Sequence, residues 1–340
     1  MYGGGIMSFD FPGYELIVCG KRFRWFVETF LLAEGFCLFT SLVCRLPFPA
    51  YFTCMKFFDF FRRKKEPVQE VPARVLLPNG KTVSKRLADY LPKLESLALP
   101  CIRIEAKPSE NLFQFDSKFG GDPYWPANQP YPVDSEGNFM YLLAQLNFSQ
   151  IPKLEGYPDK GLLQFYAAAD SMYGLNFDHP MEQSNFRVVY FENTDAPALD
   201  NFQFLNEEGR KDALPVERPM QLSFALDTDY FSYNDVRLPE ERLDEVMTDL
   251  EPGEEYRSME DELSQAFPDN GHKIGGYAYF TQTDPREDVP GTSDWILLLQ
   301  IDSQGSDICW GDYGVGNFFI HPDALKRKDF SKVLYNWDCT

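Results

Sequence analysis

The sequence predicts an α+β fold of mainly antiparallel sheets, with two duplicated β-rich halves and a few peripheral helices. Two observations carry this expectation. First, a segment near residue 120 returns at a constant offset of 155 residues. SKFGGDPYWP, with Gly120 and Gly121, lies over HKIGGYAYFT, with Gly275 and Gly276; LLAQLNFS from Leu142 lies over LLLQIDSQ from Leu297; and Gly161 lies over Gly316. Solenoid repeats run to roughly 20–50 residues, so a period this long reads as a duplicated half-domain. Second, strand-like runs follow one another without an intervening helical stretch, which favours antiparallel pairing over βαβ units.

Residues 1–54 stand apart, with four of the seven cysteines (Cys19, Cys37, Cys44 and Cys54) and no net charge. The apolar run from Trp25 to Met55 is broken by Glu28, Glu34 and Arg45. A membrane span needs about 20 apolar residues free of central charges, and the layout of a secretory signal is not met either. The expectation is therefore translation from Met55, with residues 1–54 a gene-model extension. Residues 55–72 form a charged linker, and residues 73–340 a single domain. Within it, one half covers about 107–192, an acidic insert about 195–268 and the second half about 269–340.

Along that domain, Ser84 is placed to cap a helix through Leu97, with Leu87, Leu91 and Leu94 on one face. CIRIEA from Cys101 alternates as a half-buried strand. Phe139–Phe148, Gly161–Ala168, FRVVYFEN from Phe186 and QLSFAL from Gln221 are further strands. Pro239 opens a helix whose stripe is Leu243, Val246, Met247 and Leu250, ended by Pro252-Gly253. Ser258 starts another helix through Phe267, and Asp329 a short final one. Both Gly-Gly pairs are expected in turns that need positive φ.

The ordered motifs GG-x-P-x-WP, FMYLLAQLNFSQIP, GLLQFY, HKIGGYAYFTQTDP, DWILLLQIDS, WGDYGVGNFFI and DFSKVLYNWDC resemble the YwqG-like family. This is a bacterial family of domains without an assigned activity, and the resemblance runs from about Lys107 to the C-terminus. It implies a fold, and neither a substrate nor a chemistry. Some relatives belong to toxin–immunity neighbourhoods, which implies a protein partner by association only.

Hydrophobic residues make up 44% and aromatic residues 16%, enough for a sizeable packed core. The net charge of −20 argues against nucleic acid and against anionic membrane surfaces, and favours a basic partner. Between Asp195 and Gln265 there are 20 acidic and 6 basic residues, a net of −14. Such a segment suits the basic cleft of a nuclease-like toxin. Cys101, Cys309 and Cys339 have no paired spacing, which fits a reducing cytoplasm. No cofactor and no metal are expected. His179, His272 and His321 lack zinc spacing, and neither a nucleophile elbow nor a phosphate loop occurs.

Gln145-Leu146-Asn147 and Gln300-Ile301-Asp302 form the most informative polar feature. Residues i and i+2 of a strand share a face, so each motif sets an amide beside a second polar group. The expectation is a polar binding site where the halves meet, lined also by Trp125, His272 and Asp312. The competing reading is that these side chains close hydrogen bonds to loop backbones, because buried polar groups need partners. The leading function is a non-catalytic protein- or ligand-binding module, immunity-like against a basic toxin. The alternative is an enzyme or small-molecule binder at the junction, with Asp302, Asp312 and His272 as acid–base groups.

Overall fold

The computed structural model describes residues 10–11, 14–15, 73–78, 80–206, 214–230, 232, 234–238 and 254–340. The helix expected from Pro239 falls outside them, as do residues 55–72 and nearly all of 1–54. The chain divides into two units, Met1–Glu70 and Val71–Thr340. The described part of the first is an antiparallel pair, β1 (Asp10–Phe11) with β2 (Tyr14–Glu15).

The second unit begins with a hairpin, β3 (Arg74–Leu76) and β4 (Thr82–Ser84), followed by helix α1 (Lys85–Leu94). Ser84 caps α1, its Oγ accepting from Leu87 N at 3.0 Å. The same hydroxyl donates to Glu262 at 2.6 Å, which ties α1 to helix α2 (Glu254–Ala266). Leu87, Tyr90, Leu91 and Leu94 then bury against Met259, Leu263 and Phe267. That is the apolar spacing of one helical face closing on another.

The remaining strands form one sheet. They are β5 (Leu99–Pro108), β6 (Lys118–Phe119), β7 (Tyr141–Asn147), β8 (Leu162–Ala167), β9 (Phe186–Phe191), β10 (Met220–Asp229), β11 (His272–Gly275), β12 (Ile296–Asp302), β13 (Val315–Ile320) and β14 (Leu334–Asp338). Their order is β14-β13-β12-β11-β5-β10-β6-β7-β8-β9, and every pairing is antiparallel. The sheet curls until its two ends meet. Phe165 packs on Phe318 at 4.7 Å and Phe186 on Tyr335 at 5.1 Å between ring centroids. Aromatic and branched side chains from both ends fill the enclosed core.

Read from either end, the sheet runs through the same local register. Lys118 faces Gln145 as Lys273 faces Gln300. The register shifts between Leu142 and Ala144, and again between Leu297 and Leu299. At the centre, Phe119 stands against Met220 as Ile274 stands against Ile102. The two central strands cross over: β5 pairs with β11, and β10 with β6. Strand β10 arises within the acidic segment 195–268, so that segment reaches the middle of the sheet.

Three local details differ from the sequence reading. Phe148 N donates to Gly161 O at 3.0 Å, and the matching bond runs from Ser303 N to Gly314 O at 3.1 Å. Gly314, not Gly316, therefore answers Gly161. A Cβ on Gly316 would lie 2.4 Å from the Trp310 ring, so that glycine makes room for the indole. Helix α2 is already under way at Glu254, ahead of Ser258. The last helix, α3 (Pro322–Lys326), is capped by His321, with Pro322 pre-setting its first turn. Asp329 instead accepts from Ser331 N at 3.1 Å in a turn. Among the described residues no helix is long and apolar enough to cross a membrane.

Candidate functional site

Gln145 and Gln300 are fully buried, and their amides are bound to backbone, Gln145 Oε1 also accepting from Gln164 Nε2 at 2.7 Å. Gln145 Oε1 accepts from Tyr124 N at 2.8 Å, and its Nε2 donates to Gln114 O at 2.8 Å and Asp116 O at 2.9 Å. Gln300 repeats the pattern with Tyr279 N at 2.8 Å, Asp269 O at 3.0 Å and Gly271 O at 2.7 Å. Both hydrogens of each amide are thereby used. Asn147 accepts from Ser149 N and donates to Phe115 O. Asp302 accepts from Gly271 N at 2.7 Å and Ser303 N at 2.8 Å. Each motif fastens loops on both sides of a strand to that strand.

His272 belongs to the same frame. Its Nδ1 accepts from Asp302 N at 3.0 Å, as Ser117 Oγ accepts from Asn147 N at 2.9 Å. Burial lowers its pKa, opposed by Gln304 and Asp302. His272, Asp302 and Gln304 wall a shallow groove over β5. Asp312 is exposed in a turn and does not line that groove; its carbonyl accepts from Thr340. Trp125 packs in a separate aromatic cluster with Tyr131, Tyr166 and Phe191, its indole donating to Gln129 O at 3.2 Å. The structure brings His272 and Asp302 together, and sets Gln145, Asn147 and Trp125 in the other half.

A pair of residues not singled out in the sequence marks the largest difference between the halves. Lys273 is fully buried, with its Nζ 2.8 Å from Asp229. Asp229 also accepts from Arg103 and from Tyr277 N. Burial lowers the Lys273 pKa, and Asp229 opposes that shift. The space beside it is filled: a Cβ on Gly276 would lie 2.1 Å from Asp229 Oδ2 and 2.9 Å from Cys101 Cβ. Nearby, burial raises the Asp235 pKa, but Arg237 and Arg286 outweigh it and hold that carboxyl well below the usual range. Tyr277 donates to Leu97 O and joins the core of α1 and α2, so helices cover this site.

Lys118 occupies the matching place in the other half and is 2% exposed. Its Nζ donates to Phe113 O at 2.7 Å and to Asp122 O at 3.0 Å. A Cβ on Gly121 would meet Pro219 at 3.2 Å and no carboxylate. Instead of a plug there is a cavity of about 630 Å³, lined among others by Gln114, Lys118, Asp122, Phe202 and Pro219. Burial pulls the Lys118 amine down to about 8, opposed by Asp116 and Asp122. The two lysines stand at the repeat offset, each just before a Gly pair, so the sequence did carry this signal. Their surroundings were hidden, because Asp229 lies 44 residues from Lys273.

No curated protein matches this chain. The family comparison takes in the Lys118 cavity floor, both Gly pairs and every strand from β6 to β14. With residues 117–339 matched, the chain belongs to the DUF1963 family, a family of domains of unknown function.

Proposed function

We propose that this chain is a non-catalytic small-molecule-binding domain of the YwqG-like type. In this reading it arose by duplication of a five-stranded unit, with one copy of the site filled and the other left open. The observation that carries the proposal is the cavity of about 630 Å³ at Lys118, where the equivalent space at Lys273 holds the chain's own side chains. Small-molecule sites occupy roughly 300–1,000 Å³. The duplication is supported by matching registers, by both glutamine networks and by the four Gly φ angles of 62°, 73°, 70° and 70°. A non-catalytic role is supported by the commitment of Gln145, Gln300, His272 and Asp302 to backbone bonds. A cytoplasmic setting fits the free thiols of Cys101, Cys309 and Cys339.

Ligand-observed NMR against a library of polar metabolites tests this. The expected result is binding without chemical change of the ligand, lost in Leu112→Trp, which fills the cavity. Turnover of a bound compound, or binding that survives the filled cavity, would overturn the reading. A basic protein partner, such as a nuclease-like toxin met by an immunity-like role, is the second reading, favoured by the charge of −20. A pull-down that recovers no basic partner at low or at high salt would remove it.

A further inference from the structure

We infer that the first-half cavity takes a small monocarboxylate whose other groups are neutral or cationic, its carboxylate seated on Lys118 Nζ where Asp229 sits on Lys273. This deepens the binding reading above and rests on it. An ammonium has three donors, and two of Lys118's go to neutral carbonyls. A buried cation is unfavourable without an anion beside it. The second half meets that need internally, through Asp229. In the first half β10 and β5 pair no further than Met220 with Pro108, and no carboxylate is paired there as Asp229 is paired beside Lys273. Among the described residues no carboxylate hydrogen-bonds to Lys118 Nζ; Asp116 and Asp122 act on it only from further off, which leaves its third donor for an anion from outside the chain.

The rim limits what that anion can be. Glu110, Asp122 and Asp200 all line the cavity and are exposed. They repel a second negative charge, which selects against phosphates, nucleotides and dicarboxylates. They attract an ammonium on the same ligand. Leu112 and Phe202 offer apolar contact for a short carbon chain. The class is amino-acid-like.

The test follows the backbone amides of Gly121 and Asp122 of the full chain by NMR during titration with β-alanine, acetate, ethylamine or malonate. Saturable shifts are expected with β-alanine and, more weakly, with acetate. Lys118→Gln should weaken β-alanine binding by about tenfold or more, the loss of one charge-assisted contact. In the unaltered chain, β-alanine should also slow acetylation of Lys118 read by mass spectrometry, which decides the matter if the variant misfolds. Equal shifts from ethylamine would keep the cavity as a binding site and overturn the carboxylate seat. Malonate binding as tightly as β-alanine would overturn the charge limit. No saturable shift from any probe would overturn both this inference and the binding reading.

Discussion

Around Lys273 the chain supplies its own anion, a second cation in Arg103 and a helical cover. Around Lys118 the same strand register, Gly-Gly turn and buried glutamine are kept, yet the amine meets two carbonyls and a cavity wall. The difference shows that the frame and its filling are separable. The residues that hold loops to strands match between the halves, whereas the charged residues beside the lysine do not. One half fills the space beside the buried lysine with a carboxylate of its own, and the other leaves a cavity there.

The largest expected effect breaks the filled site. Asp229→Ala leaves Lys273 buried without its anion and should lower stability by about 3–5 kcal/mol in urea unfolding. Lys118→Met strands two carbonyls but no buried carboxylate and should cost only about 1–2 kcal/mol. Equal losses in the two variants would erase the contrast between the sites.

The glutamines test what the halves share. Gln145→Leu and Gln300→Leu each strand three backbone groups and should cost about 3 kcal/mol apiece. A large cost at one and none at the other would show that the frames are not equivalent.

The smallest effect is the acid-side pH dependence that His272 contributes. His272 has a depressed pKa in the fold, whereas an unfolded histidine titrates near about 6.5. As pH falls below about 6.5 the unfolded chain takes up a proton that the folded ring does not, so stability falls. His272→Ser, which copies Ser117, should flatten this part of the profile of unfolding free energy against pH. An unchanged slope would show that His272 contributes nothing to it.

Much of the frame was legible in the sequence, because it rests on local signals. The alternation of CIRIEA, the dense β-branched run at Phe186, the Ser84 cap and the positive φ of both Gly pairs are dictated within a few residues. The crossing of β5 and β10 was not, since β10 is paired by partners more than a hundred residues away in sequence. Its acidic surroundings read as an insert. The glutamine motifs were conspicuous as polar residues in apolar strands, but sequence does not reveal whether an amide meets a ligand or a loop backbone. A lysine before a turn ordinarily reads as exposed, and only the fold shows Lys118 buried at a cavity wall.

The contrast between an open and a plugged lysine is tested most directly by amine acetylation of the native chain, read residue by residue. The account predicts that Lys118 reacts about tenfold faster than Lys273 or more, since Lys273 needs local opening to react. Equal protection of the two amines, or faster reaction at Lys273, would contradict it.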